Sequence, residues 1–266
     1  MSEEFLELRN LLVSSEWPES VLEFQIVDEN SEQEKMDRAE GVIDILIQEE
    51  LKNKKFLDFG CGEGHMTKYA ASQCLTSIGY DIEKSSNQNF VWEEKQDNFL
   101  LTTDFEKVKE NGPYDIILIY DVIDHSENPL EVLKQASSVL SDGGKIYLRC
   151  HPWCSRHGGH LYRQINKAFV HLIFTDDEIE QLGYKVDKSI KTKVLYPIIN
   201  YRKLIELSEL KQTTKDPELE RQNVEDFFEK NKMISNRIKK IVPVNEGKEF
   251  PKFQLSICFA DYILTK

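Results

Sequence analysis

A strand-like run that ends in closely spaced glycines constrains the fold of this chain more than any other feature. Residues 56–64 read Phe-Leu-Asp-Phe-Gly-Cys-Gly-Glu-Gly, and a helix-like stretch follows from His65 to Ala71. Glycines let the backbone approach a ligand, and the N-terminus of a helix offers free N–H groups. The pattern therefore predicts a strand, a tight turn and a helix that together form a nucleotide-type binding site.

Alternating strand and helix patterns predict a doubly wound parallel sheet. The run Ile116–Ile119 is typical of a central strand buried on both faces. Later in the chain, Tyr184–Leu195 and Phe253–Thr265 are strand-like and predict an antiparallel hairpin at one edge of the sheet. The other predicted elements are strands at 56–59, 77–82, 99–103, 114–122 and 145–150, helices at 31–51, 64–72, 130–140 and 175–182, and two helices within 201–240.

Composition and charge narrow the range of functions. Of the 266 residues, 40% are hydrophobic, which is enough for the core of one large α/β domain, and the formal net charge is −13. A field of that sign repels phosphate backbones and anionic lipids, so it disfavours nucleic-acid and membrane partners. The five scattered cysteines and the acidic start of the chain, which lacks a signal-peptide pattern, predict a cytoplasmic protein without a disulfide framework.

The spacing of the glycines distinguishes two kinds of cofactor site. The dinucleotide pattern has its third glycine three residues after the second, where this chain has His65, whereas Gly64 comes one residue earlier. This spacing resembles motif I of the class I S-adenosylmethionine-dependent methyltransferases. Four further segments match that family's motifs in the same order along the chain: Gly79–Ile82, Asp104-Phe105, Asp121–His125 and Val139–Gly144. In the last of these segments, Ser-Asp replaces the usual Lys-Pro.

The resemblance implies a fold and a reaction. The fold is an α/β, Rossmann-like, doubly wound sheet of seven mostly parallel strands in the order 3-2-1-4-5-7-6. Residues 1–30 would form an N-terminal helical cap, and 31–266 the methyltransferase domain, with a substrate loop region at 151–174 and a helical insertion at 201–250 before the last strand. The implied cofactor is S-adenosyl-L-methionine, and we expect a small-molecule acceptor that is methylated on oxygen or nitrogen.

The resemblance also implies cofactor contacts. The glycines would line the methionine part, Asp81 would bind the ribose hydroxyls, and Asp104-Phe105 would hold the adenine. Asp58 could instead be an acid that caps backbone amides, and Asp104 could instead be a turn residue. The implied cofactor residues are Asp58, Gly60, Cys61, Gly62, Gly64, Asp81, Ile82, Asp104, Phe105 and Asp121, with Cys61 as a small spacer rather than a nucleophile.

A segment rich in histidine and arginine follows the fifth predicted strand. Arg149–Tyr162 contains three histidines, two arginines, a tryptophan and a tyrosine, and it begins at the ligand-facing edge of an open sheet. Neutral imidazole at pH 7 suits removal of a proton from a hydroxyl or amine. We therefore predict a catalytic base among His151, His157 and His160.

Several alternatives remain for this segment and for the whole chain. The histidines could instead be hydrogen-bonded in a packed loop, or Cys150, Cys154, His157 and His160 could bind a metal; we assign no metal. We expect His171 to be a core histidine. The alternative functions are an NAD-type dinucleotide-dependent oxidoreductase and a non-catalytic, cofactor-binding partner subunit.

Overall fold

The structure, a computed structural model, describes residues 2–14, 17–21, 31–47, 49–84, 92, 97–186, 198–213, 218–221, 225–241, 255 and 257–266. The chain divides into two units. The sheet unit comprises Asp28–Cys150, Arg202–Glu218 and Asp261–Lys266, and the helical unit comprises Met1–Val27, His151–Tyr201 and Leu219–Ala260.

The described residues contain one sheet. Its strands are β1 Lys55–Phe59, β2 Thr76–Tyr80, β3 Phe99–Thr102, β4 Tyr114–Tyr120, β5 Leu140–Cys150, β6 Lys211–Gln212, β7 Glu218–Arg221 and β8 Ile257–Thr265. Their order is β3-β2-β1-β4-β5-β8-β6, and β7 pairs with β8 off this path. Strands β1 to β5 pair in parallel, whereas β6 and β8 are antiparallel.

The predicted strand order is confirmed. The structure has one short strand, β7, that the predicted seven strands did not include. The predicted seventh strand therefore corresponds to β8, and β6 occupies the predicted position of the sixth strand at the edge of the sheet. Lys211 and Gln212 pair there with Thr265 and Leu264. The predicted hairpin partner Tyr184–Leu195 forms no strand at 184–186, and its residues from 187 onward lie outside those that the structure describes.

Ten α-helices of the described chain accompany the sheet. They are α1 Glu3–Leu12, α2 Glu32–Leu46, α3 His65–Ala71, α4 Phe105–Asn111, α5 Pro129–Val139, α6 Val170–Ile173, α7 Asp176–Gln181, α8 Ile198–Leu207, α9 Glu225–Lys230 and α10 Lys232–Ile241. The predicted capping box of α7 is confirmed, since Glu178 N donates to Thr175 Oγ1 and Thr175 N donates to Glu178 Oε2. A second capping box starts α2 at Ser31 and Glu34.

Two predicted element boundaries are wrong for physical reasons. Strand β5 begins at Leu140 and not at the predicted Lys145. Its register with β4 shifts at the glycine pair 143–144, where Gly143 has a φ of +77°. The turn signal therefore marks a bulge within a strand. The predicted two-helix segment 201–240 also contains β6 and β7, because strands of two and four residues are too short to show a periodicity.

The core of the sheet unit forms around β4, as the apolar run predicts. Ile116, Ile117, Leu118 and Ile119 are all 0% exposed, the burial expected for a central parallel strand. The apolar side of α2 packs on this core through Ile43. Burial of such side chains contributes about 1.5–3 kcal/mol each.

A charged pair ties the central strands to the last one. Arg149 on β5 donates from Nε to Asp261 Oδ1 at 2.6 Å, and from Nη2 to Asp261 Oδ2 at 2.5 Å. The guanidinium carbon also lies 5.9 Å from the centroid of the Tyr120 ring at the end of β4. Both charged side chains are mostly buried, and this bidentate geometry satisfies them.

The helical unit has an apolar core of its own. Phe5, Trp17, Phe169 and Phe174 are almost fully buried in it, and Trp17 Nε1 donates to Ala168 O at 2.9 Å. None of the described helices is both long and apolar enough to cross a membrane.

Candidate active site

The glycine turn lies between the C-terminal end of β1 and the start of α3. Gly60 and Cys61 both donate their backbone N–H groups to Tyr80 O, at 2.7 and 3.0 Å, so the turn is fixed to the end of β2. Gly64 has a φ of +88°, and a Cβ there would lie 2.4 Å from Leu101 Cδ1. Glycine alone meets both conditions without strain.

Gly62 differs from Gly64 because its α-carbon faces open space. Its φ is +51°, and an added Cβ would meet no atom within 4 Å. Its N–H donates to Asp81 Oδ2 at 2.8 Å, and its carbonyl accepts from Trp92 Nε1 at 2.9 Å. The sequence prediction missed Trp92, whose one signal is that it is the only tryptophan between β2 and β3.

Asp81 follows β2 and holds two backbone amides. Besides the bond from Gly62, its Oδ1 accepts from Ile82 N at 2.8 Å. Each carboxylate oxygen can accept a second hydrogen bond, so Asp81 can bind hydroxyls while it fixes the turn. Ile82 is 82% exposed, which leaves an apolar surface beside this acid.

Phe105 belongs to a cluster of three aromatic rings at the strand ends. Its ring centroid lies 6.2 Å from that of Phe59 and 5.3 Å from that of Tyr80, both edge-on. The sequence prediction named neither partner. Asp104 is the N-cap of α4, since its Oδ1 accepts from Glu106 N at 3.0 Å. The roles of Asp104 and Phe105 towards adenine stay predictions.

Asp58 is an almost fully buried acid at the glycine turn. It is 2% exposed, and its Oδ2 accepts from Thr67 Oγ1 at 2.8 Å. Burial and, to a smaller extent, the negative charge of Asp81 raise the pKa of Asp58 to about 7. Burial also raises the pKa of the Cys61 thiol well above its ordinary value, which fits a small spacer and not a nucleophile.

Asp121 follows β4 in a strained backbone conformation. Its φ is +57°, a value that non-glycine residues rarely adopt, at a cost of about 1–3 kcal/mol. Its N–H donates to Arg149 O at 3.3 Å, and its Oδ1 lies 3.9 Å from His125 Nε2. Such outliers concentrate at functional sites. The place of Asp121 among the cofactor residues stays a prediction.

Ionic side chains connect the start of α2 to the glycine turn. Lys35 Nζ lies 2.7 Å from Glu63 Oε2, and His65 Nε2 lies 2.8 Å from Glu32 Oε2. The hydrogen bond with His65 lowers the pKa of Glu32, and the bond with Glu63 raises the pKa of Lys35. The sequence predicts α2 and the turn separately but does not predict these contacts.

The helical unit contains the predicted catalytic histidines. His157 Nε2 lies 3.4 Å from His151 Nδ1, and their ring centroids are 5.5 Å apart. The ring of His151 also packs edge-on against Phe259, at 6.0 Å. His160 has a φ of +53°, and its N–H donates to His157 O at 2.9 Å. Two of the three predicted histidines therefore form a side-chain pair.

Two glycines make the tight bend of this loop possible. A Cβ at Gly158 would lie 2.3 Å from Trp153 O, and one at Gly159 would lie 2.4 Å from His171 Cβ. His171 Nε2 lies 2.6 Å from Trp153 O, and its ring packs on the Trp153 ring. His171 is thus a hydrogen-bonded but only partly buried histidine, and its place in the core stays a prediction.

The residues of the metal alternative that belong to the helical unit do not form one group of ligands. A structural zinc site needs four ligands close together, and catalytic zinc needs at least three. Among the residues that the structure describes, Cys154, His157 and His160 do not bring their ligand atoms within 4.8 Å of one another.

The sheet order and the glycine turn define the class of this protein, which is Rossmann-like α/β. A family model described as "Methyltransferase domain" matches residues 19–186, more than half of the chain. The chain therefore belongs to that family. The family is that of the class I methyltransferases, enzymes whose cofactor is S-adenosylmethionine.

Individual relatives match over smaller parts or at low identity. The ubiquinone biosynthesis O-methyltransferase of Vibrio parahaemolyticus is 26% identical over 102 residues, which cover 36% of this chain and 43% of the relative. The match thus spans less than half the length of that relative. A SAM-dependent methyltransferase from Archaeoglobus fulgidus is 17% identical with a TM-score of 0.45, over 87% of this chain and 94% of that chain.

The residues of the glycine turn fit this cofactor. S-adenosylmethionine carries a positive sulfonium, and the turn has two acids, Asp58 and Asp81, close enough that the negative charge of Asp81 contributes to the raised pKa of Asp58. A cationic ligand would offset that charge. The open space at Gly62 lets a ligand reach the backbone, and the spare hydrogen-bonding capacity of Asp81 suits a ribose.

Proposed function

We propose that this methyltransferase acts on a small-molecule acceptor, at an oxygen or nitrogen atom, and that His151 removes the proton from that atom. Bound S-adenosylmethionine supplies a methyl group on an excellent leaving group. The protein's own residues then have two tasks, which are to position the acceptor and to take its proton. The observation that carries the proposal is the His151–His157 pair.

The pair gives each histidine a distinct role. If His151 donates its Nδ1–H to His157 Nε2, the Nε2 of His151 keeps its lone pair and can accept a proton. His157 then fixes the tautomer of His151 and stabilises the imidazolium that forms, so we assign it as a positioning residue. His151 directly follows Cys150, the last residue of β5, and the loops at that edge of an open α/β sheet commonly bind substrates.

For the cofactor we propose the residues around the glycine turn. Gly60, Cys61, Gly62 and Gly64 would contact the methionine part through their backbone, with Asp58 and Asp121 as nearby acids. Asp81 and Ile82 would contact the ribose, and Asp104 with Phe105 the adenine. The hydrogen-bonded turn and the aromatic cluster at the strand ends support this set.

A small acceptor and a cytoplasmic location complete the proposal. The net charge of −13 disfavours a nucleic-acid substrate. The name of the Vibrio relative, an O-methyltransferase of ubiquinone biosynthesis, supports transfer to oxygen of a small molecule. The five cysteines are odd in number and scattered along the sequence, which favours a reducing compartment.

The experiment compares histidine variants in methyl transfer. Labelled S-adenosylmethionine and a metabolite extract would identify an acceptor, which is then used with His151→Gln, His157→Gln and His160→Gln. Loss of a positioned base slows transfer by about 10²–10⁴-fold. We therefore expect that loss for His151→Gln, a smaller loss with a shifted pH profile for His157→Gln, and near-normal rates for His160→Gln, all with unchanged S-adenosylhomocysteine affinity.

Other results would contradict the proposal. Normal turnover by all three variants would make the histidines structural, and a loss confined to His160→Gln would move the base to that residue. A protein that binds S-adenosylhomocysteine but methylates nothing in the extract would favour the non-catalytic partner subunit.

A further inference from the structure

The chain contains a long segment without a single acidic residue. From Gly143 to Thr175 there is no Asp or Glu, although the whole chain has 47 of them and a net charge of −13. The same segment has two lysines and three arginines: Lys145, Arg149, Arg156, Arg163 and Lys167. Because no acid lies within this segment, it matters what each of these cations contacts in the structure.

Four of these five cations have partners in the structure. Lys145 and Arg149 form ion pairs with Glu49 and Asp261. Lys167 Nζ donates to two backbone carbonyl oxygens, at 3.2 and 3.3 Å. Arg163 is exposed, and its guanidinium carbon lies 5.9 Å from the centroid of the Tyr162 ring.

Arg156 is different. Its side chain is partly buried, and within the part of the chain that the structure describes its buried Nε has no hydrogen-bond partner. Burial lowers the pKa of the Arg156 guanidinium below its ordinary value, and the charge interactions with Cys258 and Glu19 offset this effect only in part. The group stays protonated at neutral pH because arginine begins from so high a value.

The backbone of Arg156 is firmly held, so its side chain starts from a fixed point. Arg156 O accepts from Phe169 N at 2.8 Å and from Ser20 Oγ at 3.1 Å. These partners come from two distant parts of the helical unit. A buried donor without a partner is costly, and a guanidinium on a fixed backbone is preorganised for a planar oxyanion.

We propose that Arg156 binds an anionic group of the methyl acceptor, either a carboxylate or a phosphate. The inference rests on the proposed function, because Arg156 belongs to the same loop as the His151–His157 pair. It adds the acceptor's chemical class, which is an acidic small molecule with a separate hydroxyl or amine to be methylated. Arg156 is a specificity residue and takes no part in the transfer itself.

Binding of small probes to the protein loaded with S-adenosylhomocysteine tests the proposal without knowledge of the acceptor. The probes are benzoate against benzamide and phenyl phosphate against phenol, titrated by calorimetry at low salt. Wild type should bind at least one anion about 10- to 100-fold more tightly than its neutral counterpart. A preference for benzoate identifies a carboxylate, and a preference for phenyl phosphate identifies a phosphate ester.

Variants assign the preference to Arg156. Arg156→Gln should abolish it, Arg156→Lys should retain part of it, and the matched control Arg163→Gln, which removes an exposed arginine of the same loop, should keep it. Circular dichroism and S-adenosylhomocysteine affinity should match wild type in all three. No preference in wild type, or a preference that survives in Arg156→Gln, would overturn the inference.

Methyl transfer separates this inference from the proposed function. Labelled S-adenosylmethionine would be offered with hydroxybenzoates and with the corresponding hydroxybenzamides. Transfer to the acids that falls in Arg156→Gln supports both ideas. Transfer to the amides alone overturns the anionic acceptor and leaves the methyltransferase proposal standing, whereas failure to bind S-adenosylhomocysteine at all strikes the proposed function instead.

Discussion

At the scale of single residues, Asp81 carries both a structural and a binding task. Its carboxylate already holds Gly62 N and Ile82 N, so its removal loosens the turn as well as the proposed ribose contact. We expect Asp81→Ala to weaken S-adenosylhomocysteine binding by about 2–3 kcal/mol, which calorimetry would measure. Asp81→Asn keeps one acceptor oxygen and should lose less. Equal affinity in Asp81→Ala and wild type would remove Asp81 from the cofactor site.

Asp58 predicts a specific dependence of stability on pH. Its folded pKa of about 7 lies above the ordinary value of 3.8, so the native state binds the proton more tightly than the unfolded state. The stabilisation is therefore complete below the unfolded pKa and is lost as the pH rises through about 7. Between pH 5 and pH 8, ionisation of Asp58 should cost about 2–3 kcal/mol.

The neutral variant Asp58→Asn isolates this contribution. It keeps a side-chain oxygen for Thr67 and cannot ionise. The difference in unfolding free energy between Asp58→Asn and wild type, measured in urea at pH 5 and pH 8, should move in favour of the variant as the pH rises. A difference that stays constant would mean that Asp58 titrates near its ordinary value.

At the scale of elements, the two glycines of the turn should respond differently to the same substitution. Gly64→Ala meets both a φ of +88° and the Leu101 side chain at 2.4 Å, so we expect a loss of stability of about 2–4 kcal/mol. Gly62→Ala meets only the positive φ, and about 1 kcal/mol should be lost.

The variants Gly62→Ala and Gly64→Ala should also differ in cofactor binding. The Cβ of Gly62→Ala would occupy the open space where we place the cofactor, so this variant should fold and bind S-adenosylhomocysteine poorly. Thermal unfolding and calorimetry on both variants would check the pair. If Gly62→Ala binds normally, the cofactor does not approach that face of the turn.

The sequence predicts some elements much better than others, and the reasons are local. The strands β1 to β4 and the helix α7 follow from apolar runs and a capping box, which act within a few residues. Strands β6 and β7 could not be predicted because they are too short to show an alternation of apolar and polar residues. The contacts of Lys35 with Glu63, and of Glu32 with His65, join residues 28 and 33 positions apart, and no local pattern records them.

At the candidate site, too, the features that depend on a local motif could be predicted, whereas those that depend on packing could not. The glycines and Asp81 follow from motif spacing, as does the histidine-rich loop. Trp92 and the pairing of His151 with His157 depend on how loops bend, which is set by packing such as that of Gly158 against Trp153.

At the scale of the whole molecule, ligand binding should raise the stability of the fold. A ligand that binds only the native state, present at 100 times its Kd, adds about 2.7 kcal/mol. We therefore expect S-adenosylhomocysteine to raise the midpoint of thermal unfolding by several degrees, and NAD at the same concentration to leave it unchanged. A rise with NAD alone would return the dinucleotide-dependent oxidoreductase to consideration.

The ion pair between β5 and β8 has a consequence for the order of events during synthesis. Arg149 and Asp261 are 112 residues apart in the chain, and β8 lies next to β5 in the sheet. At roughly 5–20 residues per second, the ribosome makes Arg149 on the order of ten seconds before its partner. During that interval the edge of β5 has no partner strand, so its backbone groups could pair with a wrong strand. Slow translation of the last hundred residues should therefore increase aggregation of this protein in the cell.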